Sequence, residues 1–398
     1  MAPIRPKALS IPWKIFRMFK IQELFKQSHS DFTQQYNPTS VQQRAALSII
    51  HCKSGSLGQN FSRCTDCGHF EVHHNSCRNR NCPCCQGILK ELWIDARKAE
   101  VIDAPYFHVV FTLPAELNPL IYNNQTLLYS LMHRTASATL LELSRDKKYL
   151  GATPGIIQVL HTWGQEMNYH PHIHCIITGA GLTKAGQLKT SRSTFFIPVQ
   201  VLGSLFRGKF LAELQKLYIK GSLHFSSTCL KLQNSYEWIE FRDSLHRKTW
   251  IPFIKETFNG FGNAIDYLGR YTHRIAMSNS RIIDLTDTHV SFWARDYKTK
   301  TSKTVTLTHL EFIRRFLMHV LPSGFQKIRY YGFLNNRKKK SNLRLIVKLT
   351  GKALFQSKFS DMPYDQIIEA LWNVKANLCN RCGNDSMRHC GQSYHRRN

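Results

Sequence analysis

His161-Thr162-Trp163-Gly164 runs into His170-Pro171-His172-Ile173-His174, and several imidazoles at these spacings suit one metal ion held on a sheet. His172 and His174 are two residues apart, so on a strand both project from one face, while Ile173, Cys175 and Ile177 point to the other and can be buried. A His-x-His pair alone more often marks a half-buried strand whose histidines only hydrogen-bond. A second element favours chemistry: Tyr267-Leu268-Gly269-Arg270-Tyr271 lies in a stretch that reads as helix, and tyrosines at i and i+4 share a helix face. Such a pair is usually core packing, but Arg270, His273 and Arg274 set positive charge beside the phenols, which favours phenolate and attracts phosphate. A histidine platform with Tyr267 and Tyr271 in a cationic setting describes phosphodiester cleavage by a tyrosine nucleophile.

The elements that must position these groups follow from periodicity. Tyr106 to Thr112 alternates like a strand and should lie centrally in the sheet beside the histidine strand, with His108 read only as a sheet histidine. Ile156 to Thr162 and Pro171 to Thr178 are strand-like and joined by a polar stretch, so they should pair as an antiparallel hairpin. Directly opposed residues in such a pair share a face, so a register setting His161 against His172 or His174 gathers all three imidazoles. On that ground His161 is taken as the third metal ligand over Gln165, Glu166 and His170, with Gln165 the runner-up.

Pro198 to Tyr218 follows helical spacing. Further on, His289 to Ala294 and Thr304 to Leu307 read as strands, and Leu310, Ile313, Leu317 and Val320 stripe a helix whose exposed side holds Arg314 and Arg315. Lys327 to Tyr331 and Arg337 to Lys340 interleave cations with aromatics, a composition suited to gripping a single DNA strand by backbone charge and base stacking.

Seven of the 12 cysteines fall between Cys52 and Cys85, in C-x-x-C pairs amid arginines and histidines, which favours metal over disulfide. Cys64, Cys67, Cys82 and Cys85 form two C-x2-C pairs separated by fourteen residues, close to a zinc-ribbon spacing, and are expected to hold one structural Zn²⁺. Cys52, Cys77, His69, His73 and His74 remain for a second ion, Cys84 competes with Cys85, and Cys379 and Cys382 with Cys390 and His389 or His395 offer another small site.

With 54 Lys plus Arg against 26 Asp plus Glu, the chain carries a formal charge of +28, the electrostatic footprint of a protein that neutralises many phosphates. No run of about 18 apolar residues is present to span a bilayer, and the basic first twenty residues lack the apolar core of a signal peptide. A cytoplasmic site of action, without membrane contact, is expected.

Phe111-Thr112-Leu113-Pro114, the His-Pro-His-Ile-His segment and Tyr-Leu-Gly-Arg-Tyr occur in the order of the three motifs of HUH endonucleases. More closely, the chain resembles the two-tyrosine transposases of rolling-circle insertion sequences, the insertion sequence 91 type. Ser76-Cys77-Arg78-Asn79-Arg80 with Cys82-Pro83, Glu311 to Phe316, Leu321-Pro322-Ser323-Gly324-Phe325 and Tyr331 to Leu334 extend the likeness over nearly the whole length. Cys52 and Cys77 match positions where that family tends to have cysteine, and Cys84 departs from its pattern.

The resemblance implies an α+β fold: an antiparallel sheet of the RNA-recognition-motif-like kind flanked by helices, behind an N-terminal zinc module. It implies catalytic Mg²⁺ or Mn²⁺, no nucleotide cofactor, and a reaction through 5′-phosphotyrosine intermediates on single-stranded DNA and element-end hairpins. The eleven-residue offset from His161 to His172 also resembles the histidine triad of conjugative relaxases, while some HUH enzymes use two histidines and a glutamine. Three units are expected: residues 1–97 as helical lead-in and zinc-binding DNA-docking module, where Arg78 and Arg80 hold a duplex or hairpin; 98–285 as nuclease core; and 286–398 as a basic C-terminal region. The rival readings are a plasmid replication initiator or relaxase and a non-catalytic DNA-binding regulator.

Overall fold

The computed structural model describes residues 20–85, 87–191, 197–256, 269, 276–296, 299 and 301–394. In chain order its main elements are α1 (Lys20–Gln35), α2 (Ser40–His51), β1 (Gln59–Cys64), β2 (Phe70–His74), α3 (Gly87–Lys98), β3 (Tyr106–Thr112), α4 (Asn118–Asn123) and α5 (Gln125–Arg145). Then come β4 (Thr153–Trp163), β5 (Tyr169–Leu182), β6 (Leu188–Thr190), α6 (Val199–Ile219), α7 (Ser235–Arg247), β7 (Phe253–Glu256), β8 (Ile282–Leu285) and β9 (His289–Arg295). The remainder are β10 (Ser302–Thr308), α8 (His309–Met318), β11 (Ile328–Gly332), α9 (Lys339–Thr350), α10 (Tyr364–Trp372) and β12 (Met387–Ser393).

The fold is α+β, centred on a six-stranded antiparallel sheet in the order β11, β4, β5, β3, β7, with β6 added to β5. Alternation along its strands makes two faces. Phe107, Val109 and Phe111 of β3, Ile156 and Leu160 of β4 and Ile173, Cys175 and Ile177 of β5 pack under α5, α6 and α7 in the largest apolar core. On the other face Ile157, Val159, Ile176 and Ala180 meet Ile94 of α3 and Leu343 and Ile346 of α9. That covering serves one end of the face; the other end carries the histidines.

A second core joins parts that are far apart in sequence. Ile21, Leu24, Phe25 and Phe32 of α1 and Ala45, Ala46 and Ile49 of α2 pack with Ile282, Val290 and Phe292 of the β10-β9-β8 sheet and Phe312, Ile313, Phe316 and Leu317 of α8. Phe25 and Phe316 meet edge to face with centroids 5.3 Å apart. Met167, at the tip of the β4-β5 hairpin, is fully buried in this core. The third assembly is a small sheet in the order β12, β1, β2.

These contacts cross the boundaries expected at 97 and 285: residues 276–320 build a core with α1 and α2, and β12 is a strand of the N-terminal ribbon. The run from Lys327 to Tyr331 forms edge strand β11 and its cations have partners within the protein, whereas Arg337, Lys338 and Lys340 are exposed. Arg329 lies over Phe325 and donates to Ser130, while Arg97 and Lys339 lie over Tyr330. Among the described residues no helix is long and apolar enough to cross a membrane.

Phe316→Ala leaves a cavity between α1 and α8 and is expected to cost about 3–5 kcal/mol. Urea unfolding should show a lower midpoint, and hydrogen exchange should show lost protection in α1, α2 and α8; unchanged values in both measurements would contradict this packing.

Candidate active site

The β4-β5 ladder sets His161 directly against His172, and Val159 against His174. All three histidines therefore emerge on one face, and one ring nitrogen from each lies within 4.8 Å of the others. Glu166 instead pairs with Lys303 at 2.5 Å, and the Gln165 backbone carbonyl accepts from Arg281. His170 serves through its carbonyl, which takes a 2.7 Å hydrogen bond from His172 Nδ1. A carbonyl can only accept, so the His172 proton is on Nδ1 and its Nε2 carries a lone pair. Burial pushes His172 down to about 4, so the ring is neutral at pH 7 and has no proton to lose before it ligates.

His108 has a larger part than a sheet histidine. Its Nε2 lies 2.9 Å from His174 Nδ1, with the two rings nearly parallel at 3°. Burial, reinforced by Lys255, holds His108 down to about 4, so its ring meets His174 uncharged at pH 7. The tautomer that suits a metal puts the shared proton on His174 Nδ1 and the lone pair on its Nε2, with His108 orienting the ligand from behind. The signal was present in the sequence: His108, Val110 and Thr112 alternate onto the face that β5 gives to Ile176, His174 and His172. His161 stacks on Trp163 with centroids 4.5 Å apart, and Lys327 sits 5.0 Å over that indole. Burial, with the charge of Arg80 adding to it, pushes the Lys327 ammonium down to about 7.

The thiols are divided differently from the expected set. Cys64, Cys67, Cys82 and Cys85 do not converge: Cys82 and Cys85 gather with Cys52 and Cys77, and Cys64 and Cys67 gather with Cys379 and Cys382. The reason is that β1 and β2 carry Cys64 and Cys67 out to the ribbon, whereas Cys52 and Cys82 are fully buried in the second core. Gln22 fixes the approach of Cys52 by donating to the carbonyls of Ile49, Ile50 and Cys52. Cys85 lies 3.7 Å from Cys77, while Cys84 receives a long 3.9 Å contact from the Asn279 amide. His69 and His73 sit against Glu71.

The Cys52 cluster suits a thiophilic cation. Backbone N–H groups of Cys77, Asn79 and Cys84 point at the sulfurs of Cys52, Cys77 and Cys82 at 3.4–3.5 Å, as donors to thiolates do. Cys77 pulls Cys52 far below the usual thiol range, and Cys52 pushes Cys77 and Cys82 far above it.

Of the arginines that could meet DNA, Arg80, Arg314 and Arg315 have partners within the protein. Arg80 donates to the carbonyls of Phe325, Leu321 and Pro322, so two of the segments quoted for the resemblance bind each other. Arg314 and Arg315 both pair with Glu311, whose carboxyl they hold down to about 2, and Arg315 also reaches Glu166 O and Asn168. Arg78 is exposed beside Cys77. Tyr267, Arg270, Tyr271 and Arg274 lie outside the described residues. Gly269 between them is described: it is buried against Ile94, where a Cβ would come within 2.3 Å of that side chain.

A family model described as "Transposase zinc-binding domain" matches residues 24–113, and one described as "Putative transposase" matches residues 155–342. The chain belongs to this family of transposases, with the zinc-binding domain ahead of the histidine-bearing sheet strands. It is 38% identical over 373 residues to the "Putative transposase y4qJ" of Sinorhizobium fredii (strain NBRC 101917 / NGR234), covering 92% of this chain and 94% of that protein. It is 28% identical over 305 residues to the transposase for insertion sequence element IS801 of Pseudomonas savastanoi pv. phaseolicola, covering 75% of this chain and 71% of that one. Among solved structures, the metal-bound conjugative relaxase TrwC with oriT DNA overlaps 42% of this chain and 71% of that chain at 16% identity, with a TM-score of 0.23, a superposition too loose to bear on the fold.

His108→Phe keeps a flat ring in place but removes the hydrogen-bond partner of His174. Mn²⁺ affinity at the three histidines, measured by calorimetry, is expected to fall about 10–100-fold with the unfolding midpoint little changed. Wild-type affinity in this variant would show that His108 does not orient the ligand.

Proposed function

We propose that this transposase is a metal-dependent single-strand DNA endonuclease and strand transferase acting in rolling-circle transposition. The observation that carries the proposal is the convergence of His161, His172 and His174 on one sheet face in a chain of this family. Imidazoles ligate as the uncharged ring, so three of them would hold Mg²⁺ or Mn²⁺ without cancelling its charge. The ion, when bound, supplies polarisation of the phosphate oxygens and stabilisation of charge in the transition state.

The protein's own part is nucleophile and setting. The phenolate oxygen of Tyr267 or Tyr271 attacks the scissile phosphorus and the bond to the 3′-oxygen breaks, leaving a 5′-phosphotyrosine and a 3′-oxyanion that takes up a proton to become the 3′-hydroxyl. The phosphodiester bond energy is kept in the new ester, so no nucleotide cofactor is needed. A phenol of pKa about 10 is a poor nucleophile at neutral pH, and the cations of Arg270, His273 and Arg274 favour its ionised form. The second tyrosine then cleaves or rejoins at the other element end or at the target. Supporting the assignment, Gly269 packs against Ile94 in the apolar cluster that also holds Val159 and Ile176 of the histidine-bearing face.

The surplus of 54 cationic over 26 acidic residues suits a DNA partner, and the cysteine-rich ribbon would dock element-end hairpins. Such work belongs in the cytoplasm.

Single-stranded DNA labelled at its 3′ end should become covalently attached to the protein in Mn²⁺ and not in chelator. Tyr267→Phe and Tyr271→Phe singly should each keep partial reactions, whereas the double variant and His161→Ala should lose at least a hundredfold. A double Phe variant that still forms the adduct would overturn the nucleophile assignment.

A further inference from the structure

The ribbon of β12, β1 and β2 has almost no core: Cys64, Cys379 and Met387 are its only members of a buried cluster among the described residues, with Cys67 against them. Three short strands need a hydrophobic face, a disulfide or a metal to hold together. The ribbon is nevertheless well formed, with β12 paired along β1 from Gln59↔Ser393 to Cys64↔Met387.

Two matching turns meet at its end. Cys64-Thr65-Asp66-Cys67-Gly68 and Cys379-Asn380-Arg381-Cys382-Gly383 share the pattern C-x2-C-G. In each, the glycine N–H bonds back to the first cysteine's carbonyl, at 3.1 Å from Gly68 and 2.9 Å from Gly383. Both glycines have left-handed backbone, with φ of 70° and 76°, which a side chain would strain. The turns face each other so that Cys64 Sγ is 3.7 Å from Cys382 Sγ and Cys67 Sγ is 3.6 Å from Cys379 Sγ. Four sulfurs about 2.3 Å from one tetrahedral ion stand about 3.8 Å apart, whereas a disulfide needs about 2.05 Å. The Cys67 N–H points at Cys64 Sγ at 3.5 Å and Ser386 Oγ lies 3.1 Å from the same sulfur, two donors of the kind a thiolate takes. Outside the sulfurs, Asn384 donates to Asp66 and Asn380 to Glu71, so the two turns also hold each other by their rims.

We propose that Cys64, Cys67, Cys379 and Cys382 bind a zinc ion of their own, separate from the one suited to Cys52, Cys77, Cys82 and Cys85, and that this ion fastens the C-terminal segment to the N-terminal ribbon. Cys379 and Cys382 lie outside the residues matched by either family model, so the site goes beyond the zinc-binding domain assigned to residues 24–113.

Zinc counted by elemental mass spectrometry in the full chain, prepared without chelator, should be two per protein. Cys379→Ser/Cys382→Ser and Cys52→Ser/Cys77→Ser should each leave one, and Cys390→Ser, at an exposed position on β12, should leave both. Two ions in the Cys379/Cys382 variant, or one in the wild type that survives in that variant, would overturn the proposal. A measurement on unmutated protein guards against misfolding of the variants. Cys382 is exposed, so burial does not shield it; it should resist alkylation by iodoacetamide until chelator is added, and then react together with Cys64, Cys67 and Cys379. Rapid alkylation of Cys382 before chelation would equally sink the site.

Discussion

Opposition of His161 to His172 across the β4-β5 ladder rests on a period of two residues, and the convergence of the three histidines depends on it. A slip by one would turn His161 under α5 and α6 and present Leu160 or Thr162 beside His172 and His174. The register is held from both ends of the hairpin. Along its length β5 is clamped between β4 and β3, whose inner residues fill the main core. At its tip, Met167 is plugged into the second core, His319 bonds Thr162 and the Met167 carbonyl, and Arg281 and Arg315 take the carbonyls of Gln165 and Glu166. The second core thus works as an anvil for the hairpin, which explains why α1, α2 and α8 are packed so tightly at a distance from the chemistry.

Local periodicity made much of this readable beforehand. The strand at Tyr106–Thr112, the two histidine-bearing strands, the helix from Val199 and the helix carrying Ile313 and Leu317 all come from alternation or a 3.6-residue stripe, which short-range sterics enforce. The pairing of thiol pairs is a different kind of fact. Each C-x2-C is visible locally, but the partner of Cys64 and Cys67 lies more than 300 residues away, and only the strand pairing of β1 with β12 brings it near. A familiar fourteen-residue spacing to Cys82 and Cys85 fits a zinc ribbon equally well on paper. His108 was missed for want of following the alternation of β3 across to β5, a step that needed only the strand order.

Charge was the least transparent signal. A chain with 54 basic residues invites every arginine to be read as a phosphate contact, yet Arg80, Arg281 and Arg315 donate to backbone carbonyls that end turns and loops. Guanidinium suits this work because its planar fork satisfies two or three acceptors at once and stays charged when partly covered. Most of the described lysines and arginines stay exposed, Arg78 among them, so composition alone does not single out those that would meet phosphate.

The chain between Glu256 and Ala276 is flanked by residues of two different packings. On one side it leaves β7, the edge strand paired with β3; on the other it enters Ala276 and Met277, both buried, with Met277 in the core of α1 and α8. The two flanks thus report on different packings: a substitution at Met277 loosens the second core and leaves β7 on its sheet, whereas one at Ile254 weakens the contact of β7 with the main core and leaves Met277 in place.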